Sequence, residues 1–253
     1  MEDHALASGA RRILVVSSLS RAIALSVLLT IASLYGSTAK GVSTKQTPAR
    51  EYDFRGAALG MSLAQLRASA FPDASWQPRA KLFCSSDKES KNSSTGIWFY
   101  LEDDAEKAVG VIQCEYFRPQ SFFLHSWEKA DMVVGGGSAK HIIYAFVPDP
   151  HDHVVRLYSI SVHADTGGAS SAMEGLREKF GAPTTSTSDV IQNRMGAKFD
   201  HTLAMWANPL STIFFENPSG DVDTMAIIYS ETRLSGFVEH MTKTIIGPSS
   251  RRM

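Results

Sequence analysis

The sequence predicts an α+β fold in which antiparallel meander sheets follow short capped helices, in two similar halves. Two short stretches combine helical hydrophobic spacing with residues that start and stop helices. Runs rich in aromatic and β-branched residues follow each of them, separated by turns that contain Pro, Asn, Gly and Asp. We therefore divide the chain into an export signal or membrane anchor at 1–39, a flexible linker at 40–51, a first α+β half at 52–119 and a second at 120–247.

Residues 1–39 show the order of features that export signals share. Arg11, Arg12 and Arg21 precede an apolar centre at 23–34, and small residues supply a cleavage site after Ala39. Two outcomes stay open, a cleaved signal peptide and an uncleaved transmembrane helix. A span needs about 20 mostly apolar residues, more than the apolar centre at 23–34 supplies by itself. Basic residues before the segment send the rest of the chain out of the cytoplasm in both cases. We expect an exported, periplasmic protein that touches the membrane only through an uncleaved N-terminal segment.

The first half begins with a short helix. Ser62 and Gln65 have the spacing of a capping box, and Phe71 followed by Pro72 stops the helix. The strand signals that come next lie at residues 80–85, 96–101 and 109–117, with an acidic turn at 102–107. In the third strand the period of two places Cys114 on the inward face and Glu115 on the other face.

The second half repeats the order of helix and meander after one strand pair. Residues 141–147 and 154–164 form that pair, and Ser171 with Glu174 caps a helix over residues 172–180. Later strands are expected at 190–199, 203–207, 212–216 and 225–230, before a final helix over 234–245.

A family resemblance lies at the start of the first helix. Leu59, Gly60, Met61 and Ser62, which open a short helix leading into a meander, resemble the Gly-Met-Ser/Thr helix start of small bacterial envelope modules. These modules are the outer-membrane-assembly lipoproteins of the SmpA/OmlA type and the similarly folded β-lactamase-inhibitor proteins. The resemblance covers about twenty residues and implies binding rather than chemistry. No Cys follows the apolar segment, so lipid attachment is not expected.

The chain has two cysteines, Cys84 and Cys114, both in the part expected to be exported. An isolated pair in an oxidising compartment is typical of a disulfide, and we predict one here. The alternative is a nucleophilic thiol partnered by His125 or His141, for which neither cysteine has a supporting motif.

One loop has the residue types of a metal site. Asp149, His151, Asp152 and His153, with His163 at the end of the following strand, could supply imidazole and carboxylate ligands. The competing interpretation is a polar hairpin turn, since turns collect Asp and Pro for backbone reasons. We favour the turn, predict no metal, cofactor or catalytic residue, and keep a metal-dependent hydrolase that uses residues 149–153 as the alternative function.

Two other motifs have ordinary structural interpretations. The glycine run at 135–140 precedes a strand and lacks the ending of a phosphate-binding loop, so we interpret it as a flexible loop. Aromatic side chains could line a ligand groove, but on strands they are more often packed in the core. They are Trp98, Phe99, Tyr100, Phe122 and Phe123.

Charge limits the function further. The chain has 25 Lys and Arg against 26 Asp and Glu, with no basic run on any expected element. This balance excludes the electrostatic pattern of a nucleic-acid binder. We expect a non-enzymatic binding module of the cell envelope that contacts a protein partner through a sheet face or edge.

Overall fold

The computed structural model describes residues 50–99, 104–120, 126–193 and 195–246, all within one compact unit. The expected α+β class is confirmed, with more strand than helix. Residues 1–39 and most of the predicted linker lie outside the described residues. Among the described residues, no helix is long and apolar enough to cross a lipid bilayer.

The chain begins with a small two-stranded arm and a capped helix. Strands β1 (Asp53–Phe54) and β2 (Ala57–Ala58) pair with each other and lead into helix α1 (Leu63–Ala68). The predicted capping box is confirmed. The Ser62 hydroxyl accepts from the Gln65 N–H, and the Gln65 side chain accepts from the Ser62 N–H.

The next segment departs from the prediction at two places. Strands β3 (Lys81–Cys84) and β4 (Ile112–Pro119) lie where strands were expected, but residues 97–99 form no strand and 100–103 lie outside the described residues. The expected acidic turn at 102–107 is wrong for its described part, because helix α2 (Asp104–Val109) begins there. Acidic side chains in a first turn stabilise a helix through its dipole, which the turn interpretation ignored.

The two cysteines are opposite each other in the antiparallel pair β3–β4, at the distance of the predicted disulfide, which is confirmed. Their sulfur atoms are 2.07 Å apart, and both residues are fully buried in the main core. Neither is a free thiol, so the alternative of a nucleophilic cysteine has no thiol available. His125, one of the two partners considered for that thiol, lies outside the described residues.

The centre of the chain builds the longest strand pair. Strands β5 (Trp127–Lys129) and β6 (Val133–Val134) pair with β4 and β7, respectively. Strands β7 (Gly137–Pro148) and β8 (Val155–Asp165) confirm the expected pair.

The glycine run is a tight turn, so its interpretation as a flexible loop is wrong. Gly135 and Gly136 connect β6 to β7 with positive φ angles of 61° and 84°. A Cβ atom on Gly135 would lie 2.3 Å from the carbonyl oxygen of Gly168, so this turn packs directly on the chain that precedes α3.

Helix α3 (Ala169–Phe180) confirms the second predicted helix but not its cap. A 3₁₀ turn (Thr166–Gly168) precedes the helix, and the N-cap is Gly168 rather than Ser171. The close approach of Gly168 to the β6–β7 turn places the helix start three residues earlier than the local capping pattern predicted.

The C-terminal part is a four-stranded meander followed by a helix. Its elements are β9 (Thr185–Gln192), β10 (Lys198–Ala207), β11 (Ser211–Asn217), β12 (Thr224–Glu231) and α4 (Thr232–Ile246). The single strand expected at 190–199 is wrong, because a turn divides it. The Asn193 carboxamide oxygen accepts from the N–H groups of Met195 and Ala197 and closes this turn.

The strand order places two meanders side by side. The sheet runs β3-β4-β7-β8-β12-β11-β10-β9, all antiparallel, so β8 and β12 meet at its centre. A helix precedes each meander, and the change from one meander to the other falls between β8 and α3.

The main core lies between one sheet face and helices α1 and α3, with the largest buried side chain, Trp206, on β10. Its indole N–H donates to the Gly181 carbonyl at 2.8 Å, which joins β10 to the end of α3. Helix α4 packs on the opposite face of the sheet. Leu234 and Val238 meet Ala145, Val147 and Tyr158 there.

Candidate binding surface

One face of the C-terminal meander carries apolar side chains that belong to none of the buried clusters, although α4 packs on the same side of the sheet over β7 and β8 and contacts β12. Strand residues alternate between faces, and Ala204, Ile213 and Ile227 belong to the main core. Their neighbours along the strands therefore point to the other side. We call that side the open face, defined by four half-buried apolar side chains. They are Leu203, Met205, Phe214 and Ile228.

The centre of the open face is an apolar row that runs across three strands. Met205 is opposite Phe214, and Phe214 is opposite Ile228. The row continues through Ser161 to the buried Ile143. Within the described chain, the four residues of the open face are not among the side chains that pack on the three buried clusters. Each of them is half-buried and keeps part of its apolar surface accessible.

Polar side chains lie on both sides of this row. Leu203 is opposite Glu216 on β11. Thr212, on the same face of β11 as Glu216, is opposite Ser230 on β12. An apolar centre with a polar surround is the usual composition of a protein interface.

The outer end of the open face is acidic. His201 on β10 lies between two carboxylates, with Nδ1 2.9 Å from Asp189 Oδ1 and Nε2 3.3 Å from Glu216 Oε1. The Ser219 hydroxyl donates to the other Glu216 oxygen at 2.7 Å. The histidine is mostly buried and the Asp189 side chain is mostly exposed, so the carboxylates dominate what solvent meets here.

A second polar cluster lies on the same side of the sheet, over the N-terminal meander. The Lys129 ammonium is 2.5 Å from the buried Glu115 carboxylate and 4.4 Å from the centre of the Trp98 ring. His141 Nδ1 is 3.9 Å from the second Glu115 oxygen, and His141 is opposite His163 in the β7–β8 pair.

Burial decides the titration of this cluster. Burial lowers the pKa of Lys129, and the nearby Glu115 carboxylate opposes this effect. Burial also lowers the pKa of His163, and His141 lowers it further. A lysine, a glutamate and an indole thus form a compact and internally neutralised group. This arrangement is typical of a structural cluster rather than of a poised acid and base.

The structure does not bring the predicted metal ligands together. Asp149 binds Arg233 through both carboxylate oxygens, and Asp152 binds Arg156 at 2.6 Å. His163 lies in the polar cluster around Glu115, at the other end of β8. Among the described residues, no group of three His, Cys, Asp or Glu side chains could hold a metal ion.

The aromatic side chains for which we favoured core packing are divided in the described part of the chain. Trp98 is 53% exposed and lies over Lys129, whereas Phe99 packs against Phe117 at a ring distance of 6.0 Å. Tyr100, Phe122 and Phe123 lie outside the described residues.

Sequence reasoning missed the residues that define the open face and its acidic end. The signal was present in the alternation of β10 and β11, where both strand faces carry large apolar side chains. That pattern shows that β10 and β11 carry apolar surface on the face away from the main core. Comparison of the chain with protein-family models, with curated proteins and with solved structures gave no significant match.

Proposed function

We propose that this chain is a non-enzymatic binding module of the cell envelope and that it contacts a protein partner through the open face. The observation that carries the proposal is the row of half-buried apolar side chains Met205, Phe214 and Ile228, which crosses three antiparallel strands and belongs to none of the three buried clusters. A contiguous apolar patch that stays partly exposed on a folded domain marks a candidate interaction site. A sheet with a tightly packed opposite face presents that surface with little conformational cost on binding.

The charges at the edge of the open face define the partner's chemistry. Asp189 and Glu216 flank the apolar row at its outer end, where both contact His201. Lys129 is already paired with Glu115 at the other end of the sheet. The complementary surface therefore has an apolar centre with Lys or Arg beside it.

The alternative, a metal-dependent hydrolase that uses residues 149–153, has no supporting geometry. Both carboxylates of that loop point to arginines, and His153 adopts a positive φ of 59° in the turn that leads into β8. These contacts support the interpretation of the loop as a polar turn, and the Arg233 pair also ties the loop to the start of α4.

Site-specific photo-crosslinking in intact cells tests the proposal. A benzoylphenylalanine at position 214 or 205 is expected to form an adduct with one envelope protein, identified by mass spectrometry. The matched control is position 190, which is 60% exposed on β9 but points to the opposite side of the sheet from Asp189. We expect no adduct from position 190.

Charge reversal provides the second measurement. Asp189→Lys combined with Glu216→Lys is expected to reduce the adduct yield from position 214, because the basic flank of the partner would meet like charge. An adduct with the mass of two copies of this chain, equal adducts from positions 214 and 190, or no adduct at all would overturn the proposal.

Export is a separate part of the proposal, and the resemblance to small envelope modules supports it only as an analogy. A mass measurement on protein from its native compartment is expected to show a chain that begins near Lys40. A mass that retains residues 23–34, together with membrane fractionation, would establish the anchor instead.

A further inference from the structure

A cleft lies on the other side of the sheet from the open face, next to helix α3. It has a volume of about 240 Å³ and lies between α3, the β1–β2 arm and the turn that follows β6. Strand β12 forms its floor. A cavity of about 150 Å³ lined by apolar side chains is enough to bind benzene, so this cleft has room for a molecule of one or two rings.

The floor and walls of the cleft are apolar and aromatic. Tyr229 lies at the floor, with its ring centre 5.8 Å from that of Phe54 and 6.5 Å from that of Phe180. Ile227 and Leu176 complete the apolar lining. Burial raises the pKa of Tyr229, so its hydroxyl stays protonated at neutral pH and can donate a hydrogen bond.

Two cations and one anion line the mouth. Lys179 is 2.6 Å from the Asp53 carboxylate and also donates to the Asp53 carbonyl. Arg55 binds Asp73, which is not part of the lining, and these two bonds use two of the five N–H groups of a guanidinium. Each cation is thus paired with one carboxylate, and Arg55 keeps N–H donors that its pair does not use.

Two glycines control the space. Gly135 packs so closely on the start of α3 that a Cβ there would lie 2.6 Å from the Ala172 N–H nitrogen, which closes one end of the cleft. Gly175, in the middle of α3, lines the cleft and has no atom within 4 Å of its Cβ position. Glycine weakens a helix interior, and at position 175 it leaves the cleft open.

We propose that this cleft binds a small amphiphile with an aromatic or short apolar body and a single carboxylate. The body lies on Tyr229, Phe54 and Leu176, and the carboxylate lies at the mouth beside Lys179 and Arg55. The site is distinct from the open face, and its occupancy does not depend on a protein partner.

Calorimetric titration with 2-naphthoate and with its neutral isostere 2-naphthamide tests the proposal on the purified chain. We expect 2-naphthoate to bind at one site, about fivefold more tightly than the amide, as expected for one solvent-exposed ion pair. Lys179→Gln is expected to remove most of that difference while the amide still binds.

Two helical glycines give a matched pair of variants. Gly175→Leu fills the cleft and is expected to weaken 2-naphthoate binding at least about tenfold, the loss expected when the site is occupied sterically. Gly236→Leu places the same side chain at an exposed, open position on α4 and is expected to leave binding unchanged.

Nuclear magnetic resonance of the unsubstituted protein keeps the test independent of how the variants fold. Shifts induced by 2-naphthoate are expected at Phe54, Leu176 and Tyr229. Absence of binding at millimolar 2-naphthoate, equal affinity for the amide, equal effects of the two glycine substitutions, or shifts confined to other parts of the sheet would each overturn the proposal.

Discussion

The Asp149 carboxylate accepts two hydrogen bonds from the Arg233 guanidinium, at 3.0 and 2.6 Å. Asp149 lies in the loop between β7 and β8, and Arg233 is the second residue of α4. Arg156 approaches the same carboxylate, with Nε 3.4 Å from Oδ2. The Asp149 side chain is 5% exposed and the Arg233 side chain 47% exposed, so a buried carboxylate meets a half-exposed guanidinium, and the pair holds the start of α4 against the central strands.

Replacing Asp149 tests the pairing directly. Asp149→Asn keeps the size of the side chain but leaves Arg233 without its carboxylate, and we expect the free energy of unfolding to fall by about 1–2 kcal/mol. Urea denaturation measures the loss. Asp152→Asn is the control, because Asp152 is a more exposed carboxylate that also binds Arg156. An equal effect of the two substitutions would contradict the role assigned to Asp149.

The same pair predicts a loss of stability in acid. Hydrogen bonds from Arg233 lower the pKa of Asp149 from 3.8 to about 2. A carboxyl whose pKa is lower in the folded state contributes stability above its unfolded pKa and loses that contribution as pH falls through the folded value. Wild-type stability should therefore fall more steeply than that of Asp149→Asn between about pH 4 and pH 2. Urea midpoints measured across this range that fall in parallel would refute the prediction.

The cysteine pair predicts a large effect of reduction. Cys84 and Cys114 are 30 residues apart, and closing a loop of that length stabilises a fold by about 3–4 kcal/mol in the chain-entropy model. Cys84→Ala with Cys114→Ala should lower the unfolding free energy by a similar amount. Thiol titration of the denatured, non-reduced wild type should find no free thiol. Two free thiols would show that the bridge does not form in the native compartment.

Local signals in the sequence predicted the elements that depend on local physics. The Ser62 cap and the inward face of Cys114 follow from side-chain chemistry and the period of two, and both are present. The turn at Asn193 was missed because one strand was predicted over residues 190–199 from the apolar side chains near its two ends. The Asn and Gly between those ends are turn residues.

Long-range contacts could not be predicted in the same way. Arg233 is 84 residues from Asp149, and nothing in either neighbourhood indicates the other. The start of α3 is also set at long range, by the packing of Gly168 on the β6–β7 turn. The partner of a side chain at long range depends on the order of the strands in the sheet. Local sequence patterns do not give that order. For that reason the sequence favoured a turn over a metal site at 149–153 but did not indicate that arginines would bind its carboxylates.

Metal analysis separates those two interpretations of the loop. Purified wild-type protein, His151→Ala and His153→Ala are expected to contain the same trace amounts of transition metal, because Asp149 and Asp152 are committed to arginines. Elemental analysis after dialysis against zinc checks this. One equivalent of zinc in the wild type that both substitutions remove would restore the metal-dependent alternative.

The β6–β7 turn predicts that two adjacent glycines respond differently to the same substitution. Both Gly135 and Gly136 have positive φ, where an alanine costs about 1–2 kcal/mol. Only Gly135 is crowded, because its Cβ position is 2.3 Å from the Gly168 carbonyl oxygen, whereas no atom lies within 4 Å of that position on Gly136. Gly135→Ala should therefore cost about 1–3 kcal/mol more than Gly136→Ala, as overpacking does. The backbone strain is common to both variants, so the difference in their thermal unfolding measures the contact alone. Equal losses would mean that the turn does not pack on the start of α3.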